Sequence, residues 1–342
     1  MPADSKVYFR SGLYTVVVRT LLSRFHGIII FGGVVMEAPM KTMGLKTKRR
    51  PSKGKSVNWS PWAFVAPHLL IFSIFFLVPI IYGIYISFTS WDLVGKADFV
   101  GLDNYKEILF EKDSSFYTQF HNGFKNTFLF VILAVPFCII VPLLLASALN
   151  AKPLFHKIFQ SIFYMPTLFS ISAVVIIWTL MFNVNQGPIN NFLNKEILWT
   201  GSQPYAWAAI VIVTVWWVIG SNMIIYQAAL NGIPKDLYEA ASIDGANSVQ
   251  KFFKITLPSI RGPILYTVVL TTIAQFNVYG QPLMLTGGGP ADSTRVLLMD
   301  IQQNAFGSGQ SIAGIASAMA IILGLCIMAV SLIQFFFLRN RD

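Results

Sequence analysis

Leu230-Asn-Gly-Ile-Pro-Lys-Asp-Leu-Tyr-Glu-Ala-Ala-Ser-Ile-Asp-Gly-Ala-Asn-Ser-Val-Gln-Lys-Phe-Phe-Lys-Ile-Thr-Leu-Pro258 is a long, polar, well-punctuated segment set between two strongly apolar ones. It reads as a short helix, a glycine break, a second short helix and a proline stop. Pro234 suits the first turn of a helix, where a missing N–H costs nothing. Asp236 and Glu239 sit near that N-terminus, the end that favours negative charge. Leu237, Ala240, Ala241 and Asp244 recur at i, i+3, i+4 and i+7 and share one face, smooth around the two alanines. Gly245 can take the left-handed conformation that ends a helix. Two readings follow: an ordinary loop between membrane helices, or a small-residue face shaped to dock in a groove of another protein.

The segments on either side set the class. The 342-residue chain is 55% hydrophobic and 12% charged, with a mean hydropathy of +0.61. That charged fraction is about half the soluble norm, so the chain reads as an all-α polytopic membrane protein. Charge-free stretches predict six transmembrane helices near 62–88, 126–149, 160–183, 206–230, 262–284 and 313–338, each long enough for about 20 residues of span. Met165-Pro166 predicts a kink in the third, and Pro136 and Pro142 bends in the second. Residues 1–57 form a basic tail and 58–342 the transmembrane domain. An apolar patch in the tail, Phe25–Met36, falls short of a span. It reads as an interfacial helix, a weak extra segment, or upstream sequence accessory to the domain.

Basic residues orient the spans. With the N-terminus inside, the inner side holds eleven tail residues plus Lys152, Lys157, Lys235, Lys251, Lys254, Arg261, Arg339 and Arg341. The outer side holds Lys96, Lys106, Lys112, Lys125, Lys195 and Arg295. Both termini and the Leu230–Pro258 loop are therefore expected in the cytoplasm, and the net charge of +10 reflects loops facing anionic lipid rather than nucleic acid. Trp59, Trp62, Trp91, Trp199 and Trp207 fall at expected membrane edges. Leu285-Thr-Gly-Gly-Gly-Pro290 reads as a flexible break outside the fifth span.

Much chemistry is missing from the sequence. It has no Gly-x-x-x-x-Gly-Lys-Ser/Thr phosphate loop, no His-Glu-x-x-His, and no metal-ligand spacing around Cys138 and Cys326. No catalytic or metal site is expected. The expected spans carry no Asp, Glu, Lys or Arg, which counts against an ion-coupled secondary transporter. His68 is the one histidine expected within a span, and it reads as a group hydrogen-bonded inside the bundle. If the protein moves a solute uphill, the free energy must enter from another chain.

Glu239-Ala-Ala-x-x-Asp-Gly245 followed by Ile255-x-Leu257-Pro258 resembles the EAA loop of permease subunits in binding-protein-dependent ABC importers of the type I fold. Ser87-Phe-Thr-Ser-Trp91, Phe99-Val-Gly-Leu-Asp-Asn-Tyr105 and Leu285–Pro290 with Thr294 are similar to its carbohydrate branch, the first permease of maltose and multiple-sugar systems. The resemblance covers about residues 60–340. It implies a permease subunit for a sugar or oligosaccharide in a bacterial or archaeal cytoplasmic membrane. It also implies a second homologous permease, an extracytoplasmic solute-binding protein, and a cytoplasmic ATPase dimer that binds the ATP and Mg; the chain itself would bind no cofactor. Tyr238, Glu239, Ala240, Ala241, Asp244, Gly245, Leu257 and Pro258 would form the coupling loop, with Glu239 facing a basic residue of the ATPase. Glycerol phosphate or another non-sugar solute is the alternative cargo.

A neutral, polyhydroxylated ligand needs amides, hydroxyls and aromatic faces rather than charge. Gln275 lies about 21 Å along the fifth span from Arg261; Tyr279 is expected one turn further on the same face, with Asn277 nearby but pointing elsewhere. The fourth span offers Trp216, Trp217, Asn222 and Tyr226. Each of these reads either as a pathway residue or as part of an interhelical hydrogen bond.

Overall fold

The computed structural model describes residues 60–93, 95–307 and 312–339; the basic tail and Trp59 lie outside them. The unit that begins at Trp62 opens with α1 (Trp62–Ile86), an apolar helix with no buried residue before Ile86. It passes Pro67 without a break and widens into a π-turn at Ser73–Leu77. Its last turns lean on the final helix, α12 (Ala313–Arg339). His68 is exposed and stacks on Phe72 at 6.4 Å, so the expected place inside a bundle is corrected: the rest of the described chain leaves α1 uncovered there.

Beyond α1, β1 (Thr89–Ser90) pairs antiparallel with β2 (Asp98–Phe99) in the register Thr89 to Phe99. The next helix, α2 (Asp103–Phe110), closes the clasp. The Asn104 amide donates to the carbonyls of Ser87 at 2.8 Å and Thr89 at 2.9 Å. The Tyr105 hydroxyl donates to Ser87 Oγ at 2.7 Å, and Ala313 N–H to Trp91 O at 2.9 Å. Two of the stretches that carried the resemblance thus tie α1 to α12, turning buried polar groups toward one another.

The centre is the pair α3 (Ser115–Asn150) and α7 (Tyr205–Asn231), flanked by α10 (Arg261–Phe276) and α12. Ser114 caps α3 by accepting from Phe116 N–H, and the helix begins eleven residues before the expected span and stays helical through Pro136 and Pro142. Phe130, Ala134, Ile210 and Val213 fill one cluster of this core; Leu143, Ala146, Met223 and Ile260 fill another. Trp199 and Trp207 are buried in the first cluster, Trp199 donating to Asn190 Oδ1, on α6 (Pro188–Leu193), at 2.8 Å; their sequence position suggested interfacial anchors.

Two expected spans are broken. The third consists of α4 (His156–Leu168) and α5 (Ile171–Met181), bent by 107°. Met165-Pro166 opens a tight 3₁₀ turn, Met165–Leu168, and Ser170 caps α5 by accepting from Ala173 N–H at 3.4 Å, so the expected kink is a full helix stop and restart. Trp217 Nε1 donates to Phe169 O at 3.1 Å, satisfying a carbonyl that the break releases within the span. A Cβ at Gly220 would lie 2.7 Å from Tyr164 Cα, so α7 crosses this break at backbone contact. The fifth span follows α9 (Ser248–Ser259) through a 72° bend and is helical only to Phe276; a separate π-turn, Pro282–Thr286, follows.

Candidate coupling surface and transport pathway

The loop after α7 forms α8 (Lys235–Ile243), with Asp236 in its first turn. Asp244 is the C-cap and Gly245 takes φ +76°. Ala246 N–H donates to Ala241 O at 2.9 Å, closing the helix end. Asn247 then starts α9 with a capping box completed by Gln250. The expected proline stop is corrected. The π-turn Phe252–Thr256 leads helically into Leu257–Ser259, and the chain bends at Ile260, two residues past Pro258. The wide turn accommodates a ring that would otherwise collide with the carbonyl four residues back.

The eight coupling-loop residues divide by direction. Tyr238 and Leu257 are half-buried and pack against the cluster around Met223, Tyr226 and Ile260. The Tyr238 hydroxyl shares a 2.9 Å hydrogen bond with Thr256 Oγ1, and Lys251 Nζ donates to Ser242 Oγ at 2.7 Å, joining α8 to α9. Glu239, Ala240, Asp244, Gly245 and Pro258 are exposed and Ala241 is half-buried. Ile243 is 87% exposed, and Val249 and Phe253 about two-thirds so. Among the described residues no ion pair occupies Glu239. The loop is thus held rigidly from behind while an apolar and acidic face stays open.

The seven pathway candidates are not gathered at one place. Asn222 donates to Cys138 O at 2.9 Å and Thr271 Oγ1 at 3.1 Å, and Tyr226 shares a 2.6 Å hydrogen bond with Thr267 Oγ1; both join neighbouring helices. The sequence reading missed Thr267 and Thr271, although their i, i+4 spacing on α10 was visible. Trp216 packs edge-on against Trp178 at 5.6 Å beside an apolar cavity of about 770 Å³ between α3, α5 and α7. Gln275 is buried and makes no side-chain hydrogen bond among the described residues, whereas exposed Asn277 donates to Ile273 O at 2.8 Å. Tyr279 lies beyond the end of α10, so the expected shared helix face with Gln275 is absent.

At the opposite end, Leu285–Pro290 is pinned rather than a flexible break. Gly287 and Gly288 supply positive φ, Thr294 Oγ1 donates to Gly289 O at 2.7 Å, and the Asn126 amide donates to Asp292 O and Arg295 O, each at 2.9 Å. Arg295 meets buried Asp300, on α11 (Leu297–Phe306), at 2.5 Å and also donates to Gln303 Oε1. Burial pushes the Asp300 carboxyl above the usual carboxylate range, and the hydrogen bond and charge of Arg295 pull it part of the way back. In the sequence Arg295 counted only as an outer positive charge, and Asp300 and Gln303 drew no notice.

Apolar helices, two of them broken within the bundle, and a rigid loop with an open face define a mostly helical polytopic membrane permease of the type I ABC importer fold. The chain belongs to the family of binding-protein-dependent transport system inner membrane components, whose pattern matches residues 120–341. It is 33% identical to the probable starch degradation products transport system permease protein AmyD of Thermoanaerobacterium thermosulfurigenes, over 82% of this chain and 94% of that one. It is 32% identical to the sn-glycerol-3-phosphate transport system permease protein UgpA of Yersinia pestis, over 85% and 98%. A solved bacterial ABC transporter involved in import of the acidic polysaccharide alginate superposes with a TM-score of 0.72 at 24% identity, covering 83% of this chain and 96% of that one.

Proposed function

We propose that this permease carries a sugar or oligosaccharide inward across a bacterial or archaeal cytoplasmic membrane, delivered by an extracytoplasmic solute-binding protein. A second permease subunit completes the pathway and a separate ATPase dimer binds ATP and Mg. The observation that carries the reading is the loop: α8 is hydrogen-bonded to α9 from behind, yet Glu239, Ala240 and Ile243 face outward without cover. A rigid, uncovered face transmits force from a docked partner. The positive-inside count puts it in the cytoplasm with both termini, where the ATPase resides. Glu239, Ala240, Ala241, Asp244 and Gly245 form the docking face, and Tyr238, Leu257 and Pro258 its attachment to the bundle.

For the cargo, Gln275 is the amide left free to meet a hydroxyl, with Trp216 and Tyr279 as aromatic surfaces; Asn222, Tyr226 and Trp217 position the helices around it. Glycerol phosphate is the second reading, favoured by the similarity to UgpA. A phosphate would ask this bundle for a basic group within its spans, and the sequence offers none there. The test is ATPase activity of the reconstituted complex. A neutral oligosaccharide with its binding protein should stimulate it, and uptake should fail on ATP depletion but survive an uncoupler. Stimulation by glycerol phosphate alone selects the second reading; uptake lost to the uncoupler but not to ATP depletion sinks both.

A further inference from the structure

A cavity of about 370 Å³ lies where the end of α3, the start of α4 and the end of α7 meet, and the transport reading does not use it. Its lining includes Lys152, His156 and Lys157, with the amides of Asn150, Gln160 and Gln227, and no carboxylate. The ammonium groups of Lys152 and Lys157 make no ion pair among the described residues. Gln227 Oε1 is buried and has no hydrogen-bond partner among the described residues, an arrangement that is costly unless a ligand donor fills it. The turn feeding α4 holds two non-glycine residues at positive φ, Lys152 at 52° and Phe155 at 63°, a strained geometry that concentrates at binding sites. The first turn of α4 lines the cavity, and a helix N-terminus favours an anion. Beside it, Leu154 is 79% and Phe155 62% exposed, with Ile158 and Phe159 also exposed on α4.

We infer that this cavity binds the headgroup of an anionic glycerophospholipid. Cationic side chains and the α4 N-terminus take the phosphate, Gln227 accepts from a headgroup hydroxyl, and the apolar side chains beside the cavity lie along the acyl chains. Basic pockets between membrane helices recognise such headgroups by this chemistry. The bound lipid would brace the end of α7, from which the coupling loop departs. A bilayer supplies the ligand; soluble phosphate is the other source of the same chemistry.

The experiment is native mass spectrometry of the full chain in mild detergent, offered phosphatidylglycerol, phosphatidic acid or phosphatidylcholine with identical acyl chains. Phosphatidylglycerol should be retained selectively, and the double variant Lys152→Gln/Lys157→Gln should lower its retention about 30-fold without changing phosphatidylcholine. Gln227→Leu should erase the preference for phosphatidylglycerol over phosphatidic acid while keeping anion selectivity. Equal retention of the zwitterionic and anionic lipids, or unchanged phosphatidylglycerol retention in the double variant, overturns the inference. Displacement of phosphatidylglycerol by inorganic phosphate overturns the lipid assignment in favour of a soluble anion.

Discussion

Two punctuated polar loops, each rich in turn residues, behave in opposite ways. Leu285–Arg295 turns its polar atoms inward: Thr294 is fully buried, the Asn126 amide holds two of the loop's carbonyls, and Arg295 covers Asp300. The α8–α9 loop satisfies itself by local bonds, Tyr238 with Thr256 and Lys251 with Ser242, and leaves its face open. A loop bonded across the bundle acts as a strut, whereas one bonded only to itself leaves a face free for the docking role proposed above. Composition does not separate the two; the destination of the hydrogen bonds does.

Substitutions can break this contrast. The largest functional effect is expected from Glu239→Lys. The side chain is exposed, so the subunit should insert and fold normally, while the reversed charge weakens docking on a basic ATPase groove about 100-fold. Uptake in vesicles at wild-type levels, with the protein present in the membrane, would remove the coupling role. The largest stability effect belongs to the other loop: Arg295→Gln leaves buried Asp300 unpaired and should cost about 3–5 kcal/mol in thermal unfolding. The sign with pH follows from the carboxyl, already raised by burial and raised further without the guanidinium. Folding of the variant is helped below the ordinary carboxylate range, and that help is lost as pH rises through the raised pKa. It should therefore be more stable at about pH 5 than at about pH 8 relative to wild type.

Asn126→Ala should cost about 1–3 kcal/mol by stranding two carbonyls, read as a lower melting temperature with the membrane level reported alongside. The smallest effect is expected at Gly245→Ala. Its φ is +76° with nothing within 4 Å of the new Cβ, so only the backbone penalty of about 1–2 kcal/mol remains. A much larger loss of uptake than of stability there would show that the turn itself meets a partner.

The helical class and the punctuation of the Leu230–Pro258 loop were legible because both depend on local patterns: long charge-free runs, and Gly245 at a helix end. It located the break at Met165-Pro166 but not its size, since a proline marks where a helix weakens while the neighbours decide the angle. Gly220 and Trp217, distant in sequence, make 107° tolerable. The pathway candidates were chosen for residue type, and type alone could not tell Asn222, which bridges two helices, from Gln275, whose amide stays free. Asp300 escaped notice because a lone charge between spans looks like any loop residue until Arg295 and its burial are seen.

The break between α4 and α5 also bears on biogenesis. At 1.5 Å per residue the two pieces measure about 20 Å and about 16 Å, each short of the roughly 30 Å of hydrocarbon. Neither piece can settle in lipid alone, and the carbonyl of Phe169 meets its donor only when Trp217 has been synthesised. The broken geometry is therefore completed only once α7 is made, because Trp217 follows Phe169 by 48 residues.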